Sequence, residues 1–124
     1  MANNIQQGRY AYEGLERVMH EKARLSILTS LLTQPEGLLF SELKELCALT
    51  DGNLSRHIKV LEEEGLVEVH KRFYKKRPQT SCILTNEGRI RFLGYLQELG
   101  QVIEDAIAQS SSIKRGKFNL VKSI

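Results

Sequence analysis

Ten polar side chains in the middle of the chain have the chemistry to contact a polyanion. Asparagine and serine offer hydrogen-bonding groups that suit the edges of bases, and arginine and lysine donate to phosphate oxygens. Five of them lie in a predicted helix and five in the basic segment after it. The helix set is Asn53, Ser55, Arg56, His57 and Lys59, and the basic-segment set is Lys71, Arg72, Lys75, Lys76 and Arg77.

The helix set lies around the outward side of a predicted amphipathic helix. At about 100° per residue, Leu54, Ile58 and Leu61 form one apolar stripe. Arg56 and Lys59 lie opposite this stripe, and the other three polar side chains lie on its flanks. Such a face suits contacts to base edges and phosphates, although an ordinary solvated helix face carries the same residue types.

The basic segment concentrates a charge that the chain as a whole has only weakly. The 124 residues have a formal net charge of +3 and a pI near 9.0. Between Leu66 and Cys82, five cations stand against the single carboxylate of Glu68. Cations at a hairpin tip neutralise phosphates and release condensed counterions; the alternative is an edge hairpin whose lysines resist aggregation. A second basic cluster lies near the end of the chain, at Lys114, Arg115, Lys117 and Lys122.

The surrounding elements predict a mainly α fold with a small β-hairpin, an α+β class. A buried helix comes first, and two short helices with a tight connection follow. The predicted elements are a short or broken helix near 15–19, a helix at 22–33, a strand at 38–40, a helix capped by Ser41, a helix capped by Thr50 or Asp51 and ending at Glu64, strands at 66–70 and 81–84 around a basic loop at 71–80, and a long helix from Thr85 to about Gln109. We expect a flexible arm at 1–12, one domain at 13–109 and a basic tail at 110–124 whose order the sequence leaves open.

Two linked segments, DGNLSRHIKVLEEEGLVEV and KRFYKKRPQTSCILTNEGR, resemble the winged helix-turn-helix of MarR-type and ArsR-type transcriptional regulators. LSRHIKVLEEEGLV is similar to the recognition helix, and RPQTSCILTNEG to the return strand of the wing. The resemblance covers roughly residues 20–105. It implies a homodimeric repressor or activator that binds double-stranded DNA, and we expect a repressor. It places the recognition helix (about 51–64) in the major groove and the wing (about 71–80) on the backbone or in the minor groove.

The long last helix is the predicted dimerisation element. Its apolar residues alternate steps of four and three, which is the spacing of a coiled-coil seam. The seam is Phe92, Leu96, Leu99 and Ile103, and a second apolar set is Ile90, Leu93, Val102 and Ile107. One face can cover its own domain while the other meets a partner, and a single broad core face is the alternative. A dimer would place two recognition helices about one turn of DNA apart.

Other classes of function find little support in the sequence. It contains no glycine-rich phosphate loop and no identifiable nucleophile with a base, so an enzyme is not expected. Cys47 and Cys82 are predicted core residues, and no metal or other cofactor is expected. No apolar run approaches the ~18 residues of a membrane span and no signal pattern opens the chain, which predicts a cytoplasmic protein. The rival is a winged helix that binds protein without reading DNA, and a small-molecule effector stays open.

Overall fold

The computed structural model describes residues 5–110, and the elements in this range follow the predicted order. They are α1 (Lys22–Leu32), β1 (Leu38–Leu39), α2 (Phe40–Cys47), α3 (Asp51–Glu63), β2 (Val67–Tyr74), β3 (Arg77–Leu84) and α4 (Asn86–Gln109). Helices packed with a small antiparallel sheet confirm the predicted α+β class. The predicted basic tail, with Lys114, Arg115, Lys117 and Lys122, lies outside the described residues, as do the first four residues of the predicted arm.

Threonine side chains begin the two helices that matter most for the site. Thr50 caps α3, and its hydroxyl accepts a hydrogen bond from the Asn53 N–H at 3.2 Å. Thr85 caps α4 in the same way, accepting from the Gly88 N–H at 2.8 Å. Gly65, with a φ of +77°, takes the left-handed conformation that ends α3 and turns the chain into β2. These positions confirm the predicted starts of both helices.

The start of α2 differs from the prediction. Ser41 is not its cap, because the helix already begins at Phe40. The carboxylate of Glu42 accepts a hydrogen bond from the Leu39 N–H at 2.8 Å. Leu39 also pairs with Ser81 in the sheet, so the chain passes from strand to helix without an intervening loop.

The three strands pair in the order β1-β3-β2, and the hairpin of β2 and β3 is much longer than predicted. The predicted loop at 71–80 is wrong: pairing continues through Lys71↔Thr80 to Tyr74↔Arg77. Only Lys75 and Lys76 form the turn, with φ angles of +50° and +64°. Pro78 is tolerated in β3 because β1 pairs no further than residues 81 and 82, which leaves β3 with one neighbour there.

The core lies where α1, α2, α3 and α4 meet the base of the sheet. The predicted α3 stripe is buried, with Leu54, Ile58 and Leu61 exposed by 2% or less. Other fully buried side chains are Met19, Ile27, Leu28, Leu31, Leu43, Leu66, Cys82 and Phe92. Within residues 5–110, no helix is long and apolar enough to cross a membrane.

Residues 5–21 form turns and contain no helix, although a short or broken helix was predicted around residues 15–19. This N-terminal segment packs along α4 and is held there by polar contacts. The Tyr12 hydroxyl donates to Asp105 at 2.7 Å, and the Gly14 N–H donates to Glu98 at 3.1 Å. Turn hydrogen bonds such as Leu15 N–H to the Tyr12 carbonyl, at 2.9 Å, pair other backbone groups of the segment without a helical ladder.

Candidate nucleic-acid interface

Helix α3 presents four of the five predicted polar contacts to solvent. Asn53, Ser55, Arg56 and Lys59 are all exposed. The Arg56 guanidinium donates to the side-chain oxygen of Asn53 at 3.2 Å, so these two side chains form one unit. Because Asn53 lies next to the N-terminal end of α3, this unit stands at the end of the helix that a helix-turn-helix inserts into the major groove. DNA contact by these residues stays a prediction.

His57 does not belong to the exposed set, and its predicted role as a groove or phosphate contact is corrected here. Its side chain is 5% exposed. It faces α1, where Nδ1 lies 3.2 Å from Nη1 of Arg24 and 3.8 Å from Oε1 of Glu21. The physical reason is spacing: His57 falls three residues after Leu54 and four before Leu61, within the buried stripe. That spacing could have identified it from the sequence.

The buried ring of His57 is held neutral and lies beneath an exposed arginine. Burial lowers its pKa, the charges of Arg56 and Arg24 lower it further, and Glu21 opposes this shift. On the outer side, Nε2 of His57 lies 3.5 Å from Nη2 of Arg56. The neutral ring therefore occupies a position where a charged one would face two guanidinium groups.

An open groove of about 670 Å³ separates α3 from the hairpin. Ser55 and Lys59 line it from the helix, and Lys71 and Thr80 line it from the strands. Glu62 adds one carboxylate farther along the helix. The groove therefore brings a lysine and a hydroxyl from each side to face the same space, which is an arrangement that suits a phosphodiester backbone.

Strand register divides the predicted wing cations between two faces of the hairpin. Side chains alternate along a strand, and paired residues share a face. Lys71 lies on the groove side with its partner Thr80. Arg72 and Arg77 consequently lie on the opposite face, and Lys75 and Lys76 form the turn between the strands. Lys71, Arg72, Lys75, Lys76 and Arg77 are all exposed.

Two of the acidic residues near the helix set are paired. Asp51, at the N-terminal end of α3, forms an ion pair with Lys44 of α2 at 3.2 Å. Glu64, at the other end of α3, contacts Arg91 of α4 at 3.2 Å. The pairing reduces the repulsion that these carboxylates would exert on a phosphate backbone.

Arg91 connects three parts of the chain behind the interface. Its guanidinium contacts Glu16 of the N-terminal segment at 2.6 Å, Glu64 at the end of α3 at 3.2 Å and Glu87 of α4 at 3.1 Å. It also donates to the backbone carbonyl of Glu64 at 3.1 Å. The hydrogen bonds that Arg91 donates to Glu16, and then to Glu64 and Glu87, raise its pKa above its usual value, and burial opposes this shift. Glu87 and Arg91 have the i,i+4 spacing of a helical ion pair, but Glu16 and Glu64 are distant from Arg91 along the chain, so local sequence pattern does not identify the cluster.

The predicted dimer seam on α4 is divided by the fold. Phe92 is fully buried and stacks on Tyr95 with ring centroids 5.9 Å apart, so its predicted role at a dimer interface is corrected: it belongs to the core of its own domain. Leu96 and Leu99 also pack partly against that core. Among the second apolar set, Ile90 is 71% exposed and Leu93 is 48% exposed.

The cysteines give no sign of a metal or redox site. Cys82 is fully buried, and burial raises its pKa to about 12, which makes the thiolate inaccessible at neutral pH. Cys47 is partly buried against the core with its sulfur 3.6 Å from the Ser30 hydroxyl. Over residues 5–110, no group of three or more histidine, cysteine or acidic side chains is placed to hold a metal ion.

A helix that follows a tight turn, and a basic two-stranded hairpin after it, define a winged helix-turn-helix protein. A family model described as a winged helix DNA-binding domain matches residues 23–103, and the chain belongs to this family. An uncharacterized protein of Methanocaldococcus jannaschii is 42% identical over 86 residues, 69% of this chain and 92% of that protein.

Solved structures confirm the fold. A transcriptional regulator homologue from Pyrococcus horikoshii OT3 is 32% identical with a TM-score of 0.72, covering 78% of this chain and 96% of that chain. A MarR-family regulator from Enterococcus faecalis V583 is 21% identical with a TM-score of 0.61, covering 85% of this chain and 94% of that one. ArsR-family regulators share the fold as well. The predicted resemblance to MarR and ArsR regulators is thereby confirmed.

Proposed function

We propose that the protein is a homodimeric transcriptional repressor that binds specific sites in double-stranded DNA. In this proposal α3 enters the major groove with Asn53, Ser55, Arg56 and Lys59, and the hairpin contacts the flanking backbone. The observation that carries it is the groove, where Lys59 of α3 and Lys71 of the hairpin face the same space. One phosphate backbone fits between the helix and the wing when the helix lies in the major groove.

The chemistry of the hairpin turn supports a role for the wing. Two-residue turns with positive φ at both positions strongly favour Asn-Gly, because other residues resist this conformation. Here Lys75 and Lys76 occupy both positions, with φ angles of +50° and +64°. A conformational penalty of about 1 kcal/mol per residue is expected for non-glycine side chains there. A turn that accepts this penalty and gains two cations at its tip is consistent with contact to phosphate.

The DNA proposal is tested by titrating a labelled duplex with the protein at increasing salt. Affinity should fall steeply, by a slope of about 0.9 per phosphate contact in the logarithmic plot. Arg56→Ala should weaken binding, and neutralising Lys75, Lys76 and Arg77 together should lower the slope by about 2–3. Arg17→Ala, which removes an exposed cation from the N-terminal segment, is the control. Binding that neither interface variant alters would refute the proposal and favour the protein-binding winged helix.

For the dimer, we propose a seam one step around α4 from the predicted one. Its residues are spaced alternately three and four positions apart. They lie away from the side of α4 that carries the buried Phe92, and they are exposed or half-buried. They are Leu93, Leu96, Gly100, Ile103 and Ile107. Leu96 and Ile103 belong to the seam predicted from sequence. Phe92 and Leu99 are left out of the proposed seam, and Leu93, Gly100 and Ile107 are added to it. In a monomer this apolar stripe would remain exposed to water, which favours a second copy of the chain as the partner that buries it.

Two glycines of α4 provide a matched test of this seam. A Cβ atom at Gly94 or at Gly100 meets no other atom within 4 Å, so arginine fits at both positions in the monomer. Both changes remove a helix glycine and raise helix propensity by about 1 kcal/mol. Gly100→Arg should abolish the dimer in sedimentation experiments, whereas Gly94→Arg, on the outward side, should leave it intact. Equal behaviour of the two variants would refute the seam.

Repression follows most simply from occupancy, because a dimer that covers its site excludes other proteins from it. A reporter gene behind a site selected by the protein tests this: repression predicts lower expression with the protein than without it. Higher expression would instead indicate an activator. A small-molecule effector stays a prediction without a named ligand.

A further inference from the structure

Phe73 is the part of the wing that phosphate contacts do not explain. Its side chain is 77% exposed, although it lies in a regular strand two residues before the turn. An exposed phenylalanine near the tip of a basic hairpin is available to contact a partner that the surrounding cations attract.

The ring lies on the groove side of the hairpin. Val69, Lys71 and Thr80 line the groove next to α3. Side chains alternate along a strand, so Phe73 shares this face, together with its cross-strand partner Pro78. The apolar pair thus extends the groove-side face beyond the lysine, toward the tip. With α3 in the major groove, this part of the wing reaches the neighbouring minor groove.

The charges around Phe73 select the kind of partner. Arg72 precedes it, Lys75 and Lys76 form the turn, and Arg77 begins the return strand, all exposed. An apolar surface of another protein would have to accept these cations at its edge. A DNA duplex has the matching arrangement, because its phosphates lie outside and its apolar base stack lies within a few ångströms of them.

We propose that Phe73 enters the minor groove beside the site read by α3 and wedges against a base step, bending the duplex. This inference rests on the proposed function. Apolar side chains inserted in this way partly unstack the step and kink DNA by about 20–90°. A pyrimidine–purine step such as TA opens most easily, so Phe73 adds a sequence preference where the protein makes no base-edge hydrogen bonds. Pro78, with its fixed φ, stiffens the strand opposite the ring.

The test uses a duplex that the full chain selects from a random library. 2-Aminopurine is placed singly along the flanks of the site, and donor and acceptor dyes at the duplex ends report bending. The variants are Phe73→Ala, Phe73→Leu and Tyr74→Ala. Tyr74 is the matched control, since it neighbours Phe73, is 55% exposed and lies on the opposite face of the hairpin.

The wild-type chain should raise 2-aminopurine fluorescence at one flanking step and shorten the distance between the dyes. Phe73→Ala should lose both signals and bind about tenfold more weakly, the range expected for one lost aromatic–base contact. Phe73→Leu should keep most of the bend, because leucine also acts as a wedge. Tyr74→Ala should stay within about twofold of wild type, as its contact is not with bases.

If Phe73→Ala bends the duplex as much as wild type does, and binds it with equal affinity, the wedge is overturned and the proposed function still stands. If the wild-type chain selects no duplex from the library, both the wedge and the proposed function are overturned. Self-association that Phe73→Ala abolishes while bending stays unchanged would assign the ring to a second protein chain instead. An unchanged melting temperature for Phe73→Ala, expected for so exposed a side chain, shows that a loss of bending is not a loss of fold.

Discussion

Replacing Arg91 by methionine tests whether the recognition helix is fixed to the rest of the domain by one side chain. Methionine keeps the length and apolar stem of arginine but removes every donor. The change breaks the contacts to Glu16, Glu64 and Glu87 and frees the Glu64 carbonyl at the end of α3. We expect the free energy of unfolding to fall and the end of α3 to loosen.

The exposure of the partners sets the size of the effect. Arg91 is 24% exposed, but Glu16, Glu64 and Glu87 are 39%, 48% and 62% exposed. The loss of about 3–5 kcal/mol in the free energy of unfolding that is expected when a fully buried ion pair is broken therefore does not apply. Water screens each contact, leaving roughly 0.5–1 kcal/mol apiece and about 2 kcal/mol in total. In a domain of this size that loss lowers the melting temperature by about 8–16 °C.

Urea unfolding of wild type, Arg91→Met and Arg89→Met at one protein concentration measures the effect. Arg89 lies two residues before Arg91 on α4 and makes no ion pair among the described residues. Its variant should therefore change the free energy of unfolding by less than about 0.5 kcal/mol. In 1 M salt, where the screening length is about 3 Å, the difference between wild type and Arg91→Met should shrink. A loss below about 0.5 kcal/mol for Arg91→Met, or one equal to that of Arg89→Met, would refute the reasoning.

Three further changes test other parts of the structure. His57 has a pKa below 6.5 in the folded chain, so its contribution to the free energy of unfolding is fully present above pH 6.5 and is lost as the pH falls through the folded pKa. His57→Gln should flatten this decline in urea unfolding at pH 5–8. Replacing Lys75 and Lys76 by Asn-Gly should stabilise the hairpin by about 1 kcal/mol yet weaken duplex binding at low salt, and weaker stability would contradict the turn geometry. Gly88→Ala should cost about 2 kcal/mol in the same assay, because its Cβ would collide with the Leu66 carbonyl group; an unchanged midpoint would count against this packing.

Periodicity in the sequence was enough to locate the helices. The predicted 22–33 helix is Lys22–Leu32 in the structure, and the predicted α3 ends one residue earlier, at Glu63. Helix α3 is amphipathic and capped by Thr50, whereas α1 carries apolar residues on more than one face and is capped by Glu21; in both helices local and tertiary preferences agree. The hairpin was underestimated because its outer half is exposed on both faces, which removes the alternation that marks a strand.

The site prediction was misled at two positions, once by residue type and once by spacing. His57 was assigned to the surface because it is polar, although its spacing matches the buried stripe of α3. Phe92 was assigned to a partner because its spacing fits a seam, although the same spacing fits the core of its own domain. In both cases the missing information was which side of a helix meets the rest of the chain. That depends on contacts between distant segments and not on local pattern.

The N-terminal segment connects the two helices on which the proposed function depends. Val18 accepts a hydrogen bond from Arg24 at 2.6 Å, and Arg24 in turn contacts the buried ring of α3. Glu16, two residues before Val18, forms an ion pair with Arg91, which contacts Glu64 at the C-terminal end of α3. The segment also lies along α4, the proposed dimer helix. Any displacement of α4 relative to its own domain must therefore strain contacts at the middle and at the C-terminal end of α3, so the orientation of the proposed recognition helix depends on how α4 is packed.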